Sequence, residues 1–448
     1  MSLRTCQFLA LCVALLLADA AQAQLRLPSL GSTLSPITRA PVLQRAEPLV
    51  DTVLAPVDLA AARLADAAGR ARAHRRELDR DPHGELIVRA EVLAQPSGPP
   101  ALAALLAAGF KPLRDDTLAG LDDVLLVLKA PPGLDLESAV ERARALDPAG
   151  AYDFHHVYST SGNIGVPEEK VVAAARVVSS PALAAEAGPL KVGLIDSGVD
   201  VAHPAFAGAE VQRHGCADGA HAAAHGTAVA SLLVGVDDHF RSALPRAVLF
   251  AGDAWCDAAT GGSVEQVARE LAWMAQMHVA VVNVSLVGPA NQVLQRIVAR
   301  AVAQGLLIVA AVGNDGPAAP PLYPASWPGV VGVGAVDARL RLLPEGARGP
   351  QVMFVAPGAD MAAAASGTRA FVAVRGTSFA APLVAGLLAA HYQSASPDGA
   401  RAAVARLAST ARDLPEAPRD GVGRGLVAEA LRTSPDTPGL VRSPGYSR

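Results

Sequence analysis

Two rhythms of apolar residues divide the chain. From residue 191 onward, short uninterrupted apolar runs alternate with helical stretches: "KVGLID", "AVLFAGD", "VAVVNVS", "LLIVAAVGN" and "GVVGVGAV". Strands that are apolar at every position, separated by helices, predict a mostly parallel sheet buried on both faces. Such sheets carry their reactive side chains at the carboxyl ends of the strands. Over 84–158 the rhythm is shorter. "ELIVRAEVLA" reads as a strand, "PPALAALLAAGF" as a helix and "LDDVLLVLKAP" as a strand again. "DLESAVERARAL" follows as a helix with an acidic start, and "AYDFHHVY" as a last extended piece. Alternation on that scale predicts a small α/β sandwich ahead of the larger α/β domain.

The flanks complete the division. Residues 1–23 carry Arg4, an apolar stretch from Phe8 to Ala18, and Ala21-Gln22-Ala23. That is the pattern of a secretory signal with a small-x-small cleavage site. The apolar stretch is short of the roughly 20 residues a membrane span needs. The chain is therefore expected to be exported, to the periplasm or the outside, with no stable span after signal removal. Residues 24–83 read as a Pro/Ser/Thr-rich linker and a helical segment whose arginines 70, 72, 75 and 76 suit a solvated face. Residues 159–190 are rich in turn formers, 191–432 form the large domain, and 433–448 read as a disordered tail.

Composition narrows the function. The net charge is −4 and aromatics make up 4% of the chain. That leaves neither the electrostatic footprint nor the stacking platforms of a nucleic-acid binder. Cys6 and Cys12 leave with the signal, so Cys216 and Cys256 remain as an even pair in an exported chain, and a disulfide is expected.

The polar residues at strand ends hold the candidate chemistry. Asp196 ends "KVGLID", where it could orient an imidazole or simply cap a turn. His225 lies in "HAAAHGTAVASLL"; His221 is four residues earlier, but no acidic or Cys ligand is suitably placed to make a metal site. Asn314, in "AAVGNDGP", could donate to a developing oxyanion or sit in a plain turn. Ser378, in "RGTSFAAP", opens an apolar helix and reads equally as a helix cap.

Taken together, "VGLIDSGVD", "HGTAVAS", "AAVGNDGP" and "RGTSFAAP" resemble the four signature segments of the subtilisin-like serine proteases, in the family's order. The resemblance covers about 191–431. It implies a three-layer subtilisin-like fold and a serine endopeptidase acting on peptides and proteins. It implies that Ser378 is the nucleophile, His225 the base, Asp196 its orienting carboxylate and Asn314 an oxyanion donor. By the same resemblance, Ser285, Leu286, Val287 and Gly288 form the strand that holds substrate. Val287 and Leu322 stand where the family is often smaller, which implies a narrowed pocket for the residue before the cleaved bond. Asp315, beside Asn314, could instead attract a basic residue. The segment 84–158 resembles the family's propeptide, an intramolecular inhibitor cut away somewhere in 157–190. The chemistry implied needs no cofactor; calcium often stabilises the family, yet no compact acidic loop identifies a site here. A catalytically silent binding protein of the same fold would be marked by a missing Ser, His or Asp, and none is missing. An α/β-hydrolase would place Ser before Asp before His, and here Ser comes last.

Overall fold

The computed structural model describes residues 58–160, 162–164, 189–217, 219 and 221–440. The expected signal peptide, residues 24–57 of the expected 24–83 linker and helical segment, and much of the expected cleavage region lie outside the described residues.

The first layer begins with α1 (Leu59–Ala73), an alanine-rich helix whose N-cap Asp58 accepts from the Ala61 N–H and whose last turn carries Arg70 and Arg72. Both features favour a helix, the arginines through the dipole. Next come β1 (Leu78–Arg80), β2 (Leu86–Gln95), α2 (Pro99–Ala107), β3 (Lys111–Leu118), β4 (Asp123–Lys129), α3 (Leu136–Leu146) and β5 (Ala151–His156). The strands form an antiparallel sheet in the order β1-β2-β4-β3, with β5 also paired to β2. Strand β3 is not legible in the apolar pattern, because "KPLRDDTL" is polar along nearly all its length.

Side chains alternate between the two faces of a strand, and here both faces are covered. Val92, Ala94 and Leu128 pack on α2 and α3 with Leu105, Phe110 and Val140. Leu93, Leu125 and Val127 point the other way, into a cluster with Val264, Val267 and Leu271 of the larger domain.

The larger domain is wound around seven strands. They are β8 (Lys191–Asp196), β9 (Val211–His214), β12 (Val248–Asp253), β13 (Val281–Val284), β15 (Leu307–Ala311), β16 (Val331–Val336) and β17 (Val352–Pro357). Their order is β17-β16-β15-β13-β8-β12-β9, and every pairing is parallel. One face is covered by α4 (Ala224–Val234), α7 (Thr377–Ala389) and α8 (Pro397–Thr410); the other by α5 (Val264–Gln276) and α6 (Gln292–Ala303). Helices α4 and α7 are buried almost all round, which is why their sequences lack a polar stripe. Short strands decorate this frame: β6 (Ser159–Thr160), β7 (Asn163–Ile164), the hairpin β10 (Val236–Asp237) and β11 (Phe240–Arg241), β14 (Leu286–Val287), β18 (Met361–Ala364) and β19 (Phe371–Arg375). A last short helix, α9, spans Arg419–Val422.

The two layers meet on α5 and α6. Gly120 approaches α5 so closely that a Cβ there would lie 2.1 Å from the Ala272 carbonyl oxygen, so only glycine fits. Around the apolar contact, the Arg114 guanidinium bridges Glu91 of its own layer and Glu265 of α5, and Arg269 of α5 pairs with Asp116. Residues 433–440, expected as a tail, are packed instead: the Thr433 carbonyl accepts from the Ala362 N–H and Leu440 is buried in the core.

Leu125 is fully buried between the layers. Leu125→Ala is expected to cost about 2–5 kcal/mol, read as a lower urea midpoint of the full chain in a Ser378→Ala background.

Candidate active site

Asp196 is the last residue of β8, in the middle of the sheet, and is fully buried. A bare carboxylate there would be costly, so it is surrounded by donors. Its Oδ1 accepts from the Ser197 N–H at 2.7 Å and the Ser197 hydroxyl at 3.1 Å. His225 sits in the first turn of α4, and its Nδ1 lies 2.9 and 3.0 Å from the two carboxylate oxygens. Gly226 lets the helix seat this low, since a Cβ there would stand 2.0 Å from the Ser197 carbonyl oxygen. Donation from Nδ1 leaves Nε2 as the basic lone pair. That nitrogen is buried and has no hydrogen-bond partner.

Ser378 is the second residue of α7, and the N-cap is Gly376, at φ 139°. The serine is therefore not the cap. Its hydroxyl donates to the Ser285 carbonyl at 3.4 Å, while the Ser285 hydroxyl donates to the Ser378 carbonyl at 3.0 Å. The His225 ring lies beside Phe379, with centroids 5.3 Å apart, so base and serine share one site without a bond between them. Catalytic hydrogen bonds often lengthen when no substrate is bound. Asn314 leaves β15 and is tied to the same helix start. Its Oδ1 accepts from the Thr377 N–H at 3.1 Å, and the Thr377 hydroxyl accepts from the Gly313 N–H at 3.2 Å.

The expected peptide-holding strand lines this site. Leu286 and Val287 form β14, paired antiparallel with Thr160 and Ser159 of the chain's own β6. Gly288 bridges to Tyr323, and a Cβ on it would collide with the Tyr158 ring at 2.3 Å. Leu322 is buried with its Cδ1 against Gly313. Beyond 160 the chain continues past Gly162, whose hypothetical Cβ would touch Phe379, and into β7, paired antiparallel with β19. The sequence reading missed Asn283, which donates to the Ser285 hydroxyl at 2.8 Å. Its signal was a lone amide inside the apolar run "VAVVNVS".

Residues 188–425 match the model of the subtilase family, described as Peptidase_S8. The chain belongs to the subtilase family. This subtilase is a serine-type endopeptidase, a class whose chemistry requires no cofactor. It is 30% identical to subtilisin E of Bacillus subtilis (strain 168) over 300 residues, covering 62% of this chain and 74% of the relative. A thermophilic serine proteinase of Bacillus sp. (strain AK1) is 31% identical over 207 residues, 44% of this chain and 51% of the relative. The fold is shared with fervidolysin from Fervidobacterium pennivorans, a keratinolytic enzyme related to subtilisin. That structure superposes with a TM-score of 0.61 at 18% identity, over 77% of this chain and 61% of the other.

The subtilase's cysteines 216 and 256 are disulfide-bonded. The bridge ties the exit of edge strand β9 to that of β12, just ahead of the loop leading to His225. Two acids lie behind it. Burial pushes the Asp253 carboxyl up, and burial likewise pushes Glu270 up, while Glu270 in turn raises its neighbour His214 through a hydrogen bond. Among the described residues, two groups have the residue types for a metal. In one, the ligands Cys216 and Cys256 are already bonded to each other; in the other, Glu91 and Glu265 already hold the Arg114 guanidinium. Neither fits calcium, which takes 6–8 oxygens.

The bridge closes a loop with a sequence separation of 40. Replacing both cysteines with serine is expected to cost about 2–4 kcal/mol. The readout is a lower melting temperature under non-reducing conditions, with the gap to wild type closing when reductant is added.

Proposed function

We propose that this subtilase is made as an exported precursor that cuts itself, and that the mature enzyme hydrolyses peptide bonds through Asp196, His225 and Ser378. The observation that carries the reading is the path of residues 157–164. Its described residues pair antiparallel with β14, through Ser159 and Thr160, on one side of Ser378 and with β19, through Asn163 and Ile164, on the other. A substrate adding a strand to a sheet edge is held the same way.

The chemistry follows from where protons can go. Ser378 Oγ attacks the carbonyl carbon as His225 Nε2 removes its proton. Asp196 fixes the Nδ1–H tautomer and stabilises the imidazolium that forms. The Ser378 backbone N–H, at the positive end of α7, and the Asn314 side chain stabilise the oxyanion. His225 then protonates the leaving amine, and the acyl-enzyme is hydrolysed by water in the reverse sense.

The register nominates a stretch. Ser159 lies opposite Val287 and Thr160 opposite Leu286 on one strand, and pairing resumes at Asn163 with Arg375 on the other, so the cut is sought in the short stretch between the two. Two contacts support a substrate preference. Leu322 against Gly313 narrows the pocket to a small side chain before the bond. Tyr158, ahead of that stretch, is fully buried, and its hydroxyl donates to the Pro289 carbonyl at 2.7 Å. The α/β layer ahead of the cut is the inhibitor, because it holds this segment in the cleft. The disulfide supports export, since such bonds persist in oxidising compartments. Among the described residues no helix is long and apolar enough to cross a membrane.

Intact mass and N-terminal sequencing of wild type beside Ser378→Ala test this. Wild type should begin within residues 161–163 and the variant should keep its N-terminal layer. Asn314→Leu should slow the cut by about 10²–10³-fold, the loss known for the corresponding amide of subtilisin itself. A wild-type chain that retains the N-terminal layer would overturn self-removal.

A further inference from the structure

Arg213 of edge strand β9 stands opposite Ala251 of β12, and Asp253 lies two residues further along β12. Residues two apart share a face of a sheet, so the arginine and the acid project to the same side, with Cα atoms about 8 Å apart by strand geometry. That is within an arginine's reach, yet the two are not paired. Among the described residues the Arg213 guanidinium has no hydrogen-bond or ion-pair partner. Asp253 Oδ1 accepts from the Trp255 and Cys256 N–H groups at 2.8 and 3.0 Å, but its buried Oδ2 has no hydrogen-bond partner. Its neighbours among the buried acids are answered, Asp196 by Ser197 and His225, and Glu270 by His214. Burial pushes the Asp253 carboxyl up.

Arg213 and Asp253 both line one cavity of about 360 Å³. Gly198 lines it too, and a Cβ there would stand 2.7 Å from Asp253 Oδ2, so the missing side chain leaves that approach clear. Val199, Val211 and Ala251 supply an apolar wall. Apolar walls with a few convergent polar groups are what a small-molecule site presents.

We propose that this cavity binds a free α-amino acid with an apolar side chain, its ammonium on Asp253 Oδ2, its carboxylate on the Arg213 guanidinium and its side chain against the valines. One carbon carrying both charges satisfies an acid and a base that share a cavity without touching. A plain amine leaves Arg213 unanswered, and a plain acid leaves Asp253 so. A metal ion finds one carboxylate and a cation in the opposite wall, too few oxygens for calcium. The site stands beside the reaction centre, because Asp253 is the register partner of Asp196. All its residues belong to the larger domain, so it is independent of the self-cutting reading.

Calorimetry on the full chain carrying Ser378→Ala tests this, with L-leucine as the probe. Leucine should bind with a Kd on the order of 1 mM or tighter. Its two halves, isoamylamine without the carboxylate and 4-methylpentanoate without the ammonium, should each bind about tenfold more weakly, the loss of one charged contact. Asp253→Asn and Arg213→Gln should each weaken leucine by a similar factor. No leucine binding at tens of millimolar, a half that binds as tightly as the whole, or leucine binding that survives both substitutions overturns the site. The comparison of halves needs no substitution, so it decides the matter even where a variant fails to fold.

Discussion

Everything in the active site hangs on one buried carboxylate. Asp196 has no exposed surface, so its carboxyl oxygens need partners inside the protein, and Ser197 and His225 supply them. Those donors fix more than the carboxyl. They fix the tautomer and tilt of the imidazole, and the imidazole sits on a helix that must come close enough to reach. Gly226 permits that approach. On the other side, Ser285 and Ser378 exchange hydrogen bonds, which tie the residue ahead of β14 to the start of α7. Thr377 and Asn314 lock the third wall to the same helix turn.

The parallel sheet that carries these groups is built from strands distant in sequence, so its assembly must close long loops before contacts repay them. The N-terminal layer has more local connections. It is antiparallel and presents Leu93, Leu125 and Val127 to α5. The charges around that patch are paired across the interface as well as within each layer: Arg114 holds Glu91 and Glu265, and Arg269 holds Glu265 and Asp116. Such pairs contribute specificity of docking more than net affinity.

The legible parts of the sequence were those with a period or a punctuation mark. Strands β8, β12, β13, β15 and β16 are apolar at consecutive positions because both faces are buried, and the eye finds them. Strand β3 hides because Arg114 and Asp116 sit on it to meet charges on α5, so its polarity is spent on a neighbour the sequence does not reveal. The 433–440 segment reads as a tail for the same reason: its few anchors, such as Leu440, matter only against a surface built elsewhere.

The sequence alone determined which residue types stand at strand ends, in what order, and with glycines beside them, and those are local facts. It also determined the even cysteine pair. Only the tertiary structure decided that Ser378 is the second residue of its helix rather than its cap, that Asn283 holds Ser285, that Ser159 and Thr160 pair with β14 and Asn163 and Ile164 with β19, and that Arg63 reaches Asp315. Each of these joins residues remote along the chain. A register or a guanidinium's reach is set by how packed layers align in space, and no local period in the sequence encodes that alignment.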